Sequence, residues 1–200
     1  MFVYVEYYSR RPGISLENFH ALASAAQTGW SSEFEGEAVA LNVGRTWRIG
    51  PDQEYLAVWT TPADGSEYLQ EWENVFQSGD ADRHQNQFET VARIDRAGCF
   101  TSNQPIEPPT SKRHLIEYFE PQPGVTTQKI DAYLETRSVS TGVALTAVLH
   151  RIGMLAPHGG LAIWAIAEYS DLSLMSFVAP DAPITIIDVG LYADLGEEQL

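Results

Sequence analysis

The stretch Leu56-Ala57-Val58-Trp59 is repeated almost letter for letter as Leu161-Ala162-Ile163-Trp164, 105 positions later (161 − 56). Both runs are apolar and end in tryptophan, which is typical of a strand buried in a sheet. Self-similarity at a long, fixed distance is the sequence signature of an internal repeat. The pair therefore predicts that one structural unit occurs twice in this chain.

Further pairs of landmarks keep the same order in the two halves. Their offsets fall from 111 (117 − 6) to 105 (161 − 56) through short deletions, and to 93 (187 − 94) through the loss of 12 residues (105 − 93) between the third and fourth strands of the second copy. The pairs are Glu6-Tyr7 with Glu117-Tyr118, Arg45 with Arg151, and Ile94-Asp95 with Ile187-Asp188. We therefore predict a first repeat at 1–100, a proline-rich linker at 101–112 and a second repeat at 113–200.

Apolar periodicity predicts the element order βαββαβ in each half. In the first half the predicted strands are 2–8, 38–49, 54–61 and 90–100, with one helix after Ser15 and another that carries Tyr68 to Phe76. In the second half they are 113–119, 143–153, 160–168 and 184–193, with helices at 126–140 and 171–178. Such a unit closes as a ferredoxin-like, antiparallel four-stranded sheet of order 4-1-3-2 with both helices on one face.

Each predicted sheet has one face that its own helices leave bare. Two such faces leave water most simply by packing against each other. The expected fold is therefore α+β, with two tandem ferredoxin-like repeats whose four-stranded sheets pack face to face as a barrel. The pattern leaves open whether the barrel closes within one chain or between the two chains of a homodimer.

The element order, the repeated Glu-Tyr strand and the paired LAVW and LAIW strands resemble the dimeric α+β barrel superfamily. That superfamily includes antibiotic-biosynthesis monooxygenases, EthD-like and NIPSNAP-like proteins and stress-responsive barrel proteins. The resemblance extends over nearly all of both halves but carries no catalytic signature. It implies a fold and a range of small-molecule chemistries, without selecting one member.

The composition excludes several classes of partner. The formal net charge is −15, with only 12 Lys and Arg residues, which disfavours nucleic acid and anionic membrane surfaces. No run of 18 apolar residues and no signal-peptide pattern occurs, so membrane spanning and secretion are not expected. Cys99 is the only cysteine, which rules out an intrachain disulfide and is compatible with a cytoplasmic location.

Two glutamates at equivalent positions are the first candidates for chemistry. Strand alternation puts Glu6 on one face with Tyr4 and Tyr8, and the aliphatic residues of the same strand on the other. We expect the aliphatic face to meet the helices and Glu6 to point into the barrel. Glu117 repeats this arrangement between Leu115 and Phe119.

Strand order brings Trp59 and Trp164 near these carboxylates. A carboxylate among aromatic rings is partly desolvated, which raises its pKa and makes Glu6 or Glu117 a candidate general acid or base. The alternative is that the two glutamates form partly buried ion pairs with Arg45 and Arg151 and are structural. Repetition in both halves favours this alternative.

His150 is the third catalytic candidate. It stands on a predicted strand where the first repeat has Gly44, so a change in one repeat alone could have created a single acid-base group. The alternative is a hydrogen-bonded structural histidine.

Aromatic side chains are the candidates for lining a pocket. A planar apolar or aromatic ligand could lie among Tyr4, Tyr8, Trp47, Trp59, Phe119 and Trp164, with Arg45 and Arg151 at its edge. No cofactor or metal is expected, because the histidines lack i, i+4 spacing and no phosphate loop occurs. No GxSxG motif occurs either, so nucleophilic hydrolysis has no support.

Three functions agree with these patterns. The first is a small-molecule enzyme, a cofactor-independent monooxygenase, isomerase or cyclase acting on an aromatic or polyketide-like compound. The second is a non-catalytic binding or assembly module whose barrel is filled by its own side chains. The third is a haem protein similar to chlorite dismutases and dye-decolourising peroxidases, with a histidine as axial ligand.

Overall fold

The computed structural model describes residues 1–33, 38–46, 54–61, 65–79, 86–106, 111–153, 156, 158–175 and 178–194. The strands are β1 (Phe2–Arg10), β2 (Ala38–Arg45), β3 (Glu54–Thr61), β4 (Ala92–Thr101), β5 (Arg113–Pro121), β6 (Ala144–Arg151), β7 (Gly160–Ala165) and β8 (Ile184–Asp194). The helices are α1 (Leu16–Glu33), α2 (Gly65–Ser78), α3 (Thr127–Thr141) and α4 (Asp171–Leu174), and residues 86–89 form a further helical turn. The element order in both halves is therefore the predicted βαββαβ.

The eight strands form one closed antiparallel barrel in the order β1-β3-β2-β8-β5-β7-β6-β4. Each half contributes four adjacent strands in the predicted order 4-1-3-2, and the barrel closes within a single chain. The halves meet at two narrow seams. Among the residues that the structure describes, three pairs join β2 to β8 and two pairs join β4 to β6.

Matching irregularities show that the halves are copies of one unit. The register of β1 on β4 shifts between Tyr7 and Tyr8, and that of β5 on β8 shifts between Tyr118 and Phe119, 111 positions later. A second shift recurs between β2 and β3 and between β6 and β7. A β-bulge is a specific local feature, so its recurrence at equivalent sites supports the duplication.

The barrel interior is filled by side chains from all eight strands. Among the described residues, fifteen buried ones form this cluster, including Val3, Val5 and Tyr7 of β1 and Ile116 and Tyr118 of β5. Interiors of barrels with eight strands are just wide enough for side chains to fill them. The helices lie outside and cover the opposite strand faces.

The predicted assignment of strand faces is therefore wrong. Glu6, Tyr4 and Tyr8 point away from the barrel toward the helix layer, where Tyr8 packs with Phe19 of α1. The aliphatic face of β1 fills the interior instead. Glu117 and Phe119 likewise lie in the outer layer of the second half.

Local sequence explains the limits of α3. Thr126 caps its start by accepting a hydrogen bond from the Lys129 backbone N–H at 3.4 Å, and Gly142 ends it with a φ of 74°. Only glycine adopts that left-handed conformation without strain. One side of the helix buries Ile130, Leu134 and Arg137.

Several boundaries differ from the prediction. Helix α1 continues past Gly29 to Glu33, because one glycine costs only about 1 kcal/mol in a helix that packing stabilises. Strand β6 ends at Arg151, and β2 is described only to Arg45, so the predicted positions 47–49 lie outside the described residues. Helix α4 is a single turn of four residues where eight were predicted. None of the described helices is long and apolar enough to cross a membrane.

Candidate functional site

Glu117 lies at the centre of a buried polar cluster on the outer face of the second half. Its carboxylate accepts two hydrogen bonds from Arg137, at 2.6 Å (Nη1 to Oε2) and 2.9 Å (Nη2 to Oε1). The indole Nε1 of Trp164 donates a third, at 2.9 Å to Oε2. The side chains of Arg137 and Glu117 are only 6% and 3% exposed. This is a fully desolvated, bidentate ion pair, the geometry in which arginine binds carboxylates most strongly.

Arg137 reaches Glu117 because it continues the buried stripe of α3. Ile130, Leu134 and Arg137 are spaced i, i+4 and i+7, so all three face the sheet. The guanidinium also donates to the Met175 carbonyl oxygen at 2.6 Å and lies 5.2 Å from the centre of the Trp164 ring. Sequence reasoning missed Arg137. The available signal was a single charged residue on an otherwise apolar helix stripe.

The ion pairs predicted for the two glutamates are wrong in their partners. Arg45 forms a bidentate pair with Asp188, at 3.1 and 3.2 Å. Arg151 lies 3.8 Å from Glu120. Both arginines lie at the ends of their strands, away from Glu6 and Glu117.

The equivalent glutamate of the first half has different surroundings. Glu6 is buried and accepts a hydrogen bond from Trp59 Nε1 at 3.0 Å, which matches the Glu117–Trp164 contact. The position equivalent to Arg137 is Ala26 (137 − 111), which is also buried under its helix. The tryptophan contact is thus shared by the two repeats, whereas the helix position that holds Arg137 in the second is alanine in the first.

A cavity of about 440 Å³ opens beside Glu117 on the outer face of β5 and β8. Among the described residues, Glu117 is its only charged lining residue. The other seven are apolar: Leu115, Leu172, Met175, Val178, Ile186, Val189 and Leu191. The volume lies within the usual range of small-molecule sites, and the apolar wall with one polar group is their usual composition.

The difference in helix length between the repeats explains the cavity. In the first half, α2 has 14 residues and places Tyr68 against Phe2, at 4.9 Å between ring centres, and beside Cys99. Cys99 pairs with Tyr4 across the sheet, as Leu191 pairs with the equivalent Leu115 in the second half. Leu115 and Leu191 line the cavity. Space that a tyrosine ring of α2 fills in the first half is therefore open beside the four-residue α4 in the second.

His150 lies elsewhere, on the outer face of β6 under α3. It is buried, and its Nε2 lies 2.6 Å from Asp131 Oδ1 on that helix. Asn103 of the connecting segment donates to the other Asp131 oxygen at 2.5 Å. Asp131 borders a second cavity of about 240 Å³ between α3 and β6, but His150 does not line it. The contacts are those of the hydrogen-bonded structural alternative, and a catalytic role of His150 stays a prediction.

A polar network inside one end of the barrel was not predicted. Tyr118 and Tyr192 share a hydrogen bond of 2.8 Å, and Tyr192 donates to Glu54 at 2.5 Å. Arg96 donates to the other Glu54 oxygen at 2.8 Å and lies over the ring of Tyr7. Burial raises the pKa of Tyr192, and the neighbouring Glu54 carboxylate raises it further. These tyrosines are therefore neutral hydrogen-bonding groups at physiological pH.

The remaining aromatic candidates are core residues. The Tyr8 ring stacks on Tyr55 at 5.5 Å, and its hydroxyl donates to Asn42 at 2.5 Å. Tyr4 packs at the margin of the first-half outer cluster, and Phe119 is buried in the second. Trp47 lies outside the described residues. Only Glu117 of the predicted site residues lines the 440 Å³ cavity, and Trp164 and Phe119 belong to the core beneath it.

The architecture defines a duplicated ferredoxin-like α+β barrel, and solved structures of chlorite dismutase-like and haem-binding proteins share it. A protein solved under the provisional name of a chlorite dismutase aligns with a TM-score of 0.61 and 12% identity, over 99% of this chain and 98% of that one. An arginine-to-alanine variant of chlorite dismutase from Candidatus Nitrospira defluvii aligns with a TM-score of 0.55 and 8% identity, over 98% of this chain and 92% of that one. A haem-binding protein from Thermus thermophilus aligns with a TM-score of 0.56 and 10% identity, over 96% of this chain and 90% of that one. Identities this low show a shared fold alone. No family model and no curated protein matches the chain.

The described residues do not fit a haem group held by histidine. No described histidine lines the cavities of about 440 and 240 Å³, or a third of about 430 Å³ beside Arg113 and Val143, and the sequence has none after His158. His114 is buried 3.4 Å from Asp194, and the His158 ring packs against Tyr118 at 4.8 Å. His84 lies outside the described residues. Among those described, no cluster of three His, Cys, Asp or Glu side chains could hold a metal ion.

Proposed function

We propose that this chain binds a small apolar or aromatic molecule in the 440 Å³ cavity of its second repeat. The observation that carries the proposal is the open space between β5, β8 and α4, walled by seven apolar side chains and one buried carboxylate. Burial of an apolar ligand there would remove both its surface and the cavity wall from water.

The duplication itself supports this proposal. Equivalent space in the first repeat is filled by the Tyr68 side chain of α2. The second repeat has kept the sheet residues beneath this space but only one turn of the covering helix. Val189 of the cavity wall is 44% exposed. A ligand would cover apolar surface that a helix covers in the other copy.

Binding is better supported than catalysis. Glu117 already accepts three hydrogen bonds and is paired with a buried arginine, an arrangement that holds a carboxylate in place as an acceptor. The barrel interior, where the enzyme hypothesis expected its pocket, is filled by the chain's own side chains. A cofactor-independent monooxygenase, isomerase or cyclase activity therefore stays a prediction, as does the catalytic role of Glu6.

The test uses methyl-labelled protein titrated with 2-methoxynaphthalene, an apolar probe without a hydrogen-bond donor. The methyl resonances of Leu115, Ile186 and Leu191 should shift saturably, since all three side chains line the cavity. Val189→Trp should abolish the shifts by filling the cavity from its exposed edge. The matched control is Val139→Trp on α3, at a valine that is 85% exposed and lines the 240 Å³ cavity instead of this one. Shifts that survive Val189→Trp, or the absence of saturable shifts with both this probe and 2-naphthol, would refute the proposal.

Haem binding is a second candidate, favoured by what the names of the structural neighbours say those proteins bind. The absence of a histidine from the described cavity walls counts against it. Addition of haem to the purified protein decides the matter. A Soret band with a saturable titration that Val189→Trp removes would support haem in this cavity, and no band would exclude it.

A further inference from the structure

The proposed cavity also indicates which chemical group its ligand carries, an inference that rests on the proposed function. We infer that the ligand is a neutral ring compound with one hydroxyl or N–H group, which donates a hydrogen bond to Glu117. A phenol is the simplest member of this class.

The argument begins with the hydrogen bonds of the Glu117 carboxylate. A carboxylate oxygen can accept about two hydrogen bonds. From the described residues, Oε2 accepts two, from Arg137 Nη1 and Trp164 Nε1, whereas Oε1 accepts only one, from Arg137 Nη2. One acceptor position is therefore left on Oε1, in a side chain that is 3% exposed and lines the cavity. A buried acceptor without its full set of donors is where a ligand donor gains most.

The cavity offers an acceptor but no donor among its described side chains. Its other lining residues are all apolar, and Arg137 does not line it. A ligand carboxylate or phosphate would meet the Glu117 carboxylate with no cation in the described cavity wall. Anionic ligands are therefore disfavoured by both repulsion and desolvation.

Charge balance disfavours a cationic ligand as well. Arg137 already neutralises Glu117 through two hydrogen bonds, so the cluster has no net charge left to compensate a buried ammonium group. Attraction to the Glu117 carboxylate would offset only part of the cost of desolvating such a cation. A neutral donor gains the hydrogen bond without that cost.

The first repeat provides an independent indication of the ring. Among the described side chains, tyrosine fills the equivalent space there, and its body is a six-membered aromatic ring with one hydroxyl. Leu115 and Leu191 of the second repeat take the places of Tyr4 and Cys99 beneath that ring. A phenolic ligand would thus restore in the second repeat a packing arrangement that α2 supplies covalently in the first.

The experiment compares four probes that share one naphthalene body, by isothermal titration at pH 7. They are 2-naphthol, 2-methoxynaphthalene, 2-naphthoate and (2-naphthylmethyl)ammonium. We expect 2-naphthol to bind about tenfold or more tightly than the methoxy compound, because a hydrogen bond to a charged group contributes at least that factor. The anion and the cation should both bind more weakly than 2-naphthol.

The outcomes separate this inference from the proposed function. Equal binding of 2-naphthol and 2-methoxynaphthalene would overturn the role of Glu117 while leaving the cavity as a binding site. Tightest binding of the naphthoate or the ammonium compound would overturn the neutral class. Failure of all four probes would refute the proposed function itself.

A double variant tests whether Glu117 causes the preference for 2-naphthol over 2-methoxynaphthalene. Glu117→Gln combined with Arg137→Met removes both charges together and leaves a weaker amide acceptor in the same place. Its preference for 2-naphthol over the methoxy compound should fall below about threefold. An unchanged preference in this variant would show that another group receives the hydrogen bond. Circular dichroism of the variant confirms that it is folded before binding is compared.

Discussion

Loss of the arginine beneath the cavity should destabilise the protein strongly. Arg137→Met retains the length and the apolar stem of the side chain but removes its charge and the three hydrogen bonds that it donates to Glu117 and Met175. Glu117 then remains as a buried charge, with Trp164 as its remaining donor among the described residues. The expected outcome is a large loss in the free energy of unfolding.

The magnitude follows from burial and distance. The two side chains are 6% and 3% exposed, so solvent screens the pair very little. Two unit charges about 4 Å apart interact by about 4 kcal/mol at an effective dielectric constant of about 20. Breaking a buried pair by removing one partner typically costs about 3–5 kcal/mol. We therefore expect Arg137→Met to lose about 3–5 kcal/mol.

Urea unfolding at pH 7, followed by far-ultraviolet circular dichroism, measures this loss. A surface control is Arg93→Met, because Arg93 contacts Asp95 at 2.6 Å but its side chain is 67% exposed. Exposed pairs contribute about 0–1 kcal/mol, so the control should change stability by no more than that.

A second substitution distinguishes the charge from the packing. Glu117→Gln added to Arg137→Met removes the uncompensated carboxylate and should recover at least half of the lost stability. A loss below about 1 kcal/mol in the single variant, or a double variant no more stable than the single one, would show that the reasoning is wrong.

Three further predictions concern other parts of the fold. Burial lowers the pKa of His114, so its imidazole takes up a proton less readily in the folded state than in the unfolded state. Stability should therefore fall as the pH drops from about 7.5 to 5.5, through the unfolded pKa of about 6.5. Urea unfolding of His114→Asn should show a shallower pH dependence over that range, and an identical slope would contradict the assignment. Gly160→Ala would place a Cβ in the Phe119 ring and should cost about 1–3 kcal/mol, measured by thermal unfolding, whereas unchanged stability would show that the strand can shift. Tyr192→Phe removes a donor from the Glu54 carboxylate and should cost about 1–3 kcal/mol in the same assay; a neutral effect would mean that water replaces the phenol.

The sequence was sufficient to predict the fold because the relevant signals are local and duplicated. Alternating apolar runs, a capped helix and short connections each determine one element, and the repeated LAVW and LAIW strands identify the second copy. The antiparallel strand order then follows from the βαββαβ pattern. The length of α4 could not be predicted, because the chain stays apolar after it, at Met175 and Val178, and apolar residues alone do not determine where a helix ends.

The site was predicted less well, for a physical reason. Both faces of β1 are apolar, one with Val3 and Val5 and the other with Tyr4 and Tyr8, so alternation separates the faces without telling which is inside. Packing decides which face of β1 lies inside the barrel. The narrow barrel takes mainly aliphatic side chains, and the space beneath the helices takes the larger rings.

The partner of Glu117 depends on contacts distant in sequence. Arg137 lies 20 residues away on a helix, and nothing local to either residue indicates the pairing. The cavity likewise depends on a helix that is shorter in one copy than in the other. Glu117 could be predicted as a candidate from its apolar strand, whereas its surroundings required the three-dimensional arrangement.

The narrow seams of the barrel affect how two molecules can associate. Among the described residues, β2 and β8 share three residue pairs and β4 and β6 share two, so each half makes most of these backbone hydrogen bonds within itself. If the strands at both seams separated, each half would expose its interior face, and the matching half of a second chain could cover that face. Exchange of halves between two chains would therefore keep the strand pairs within each half intact.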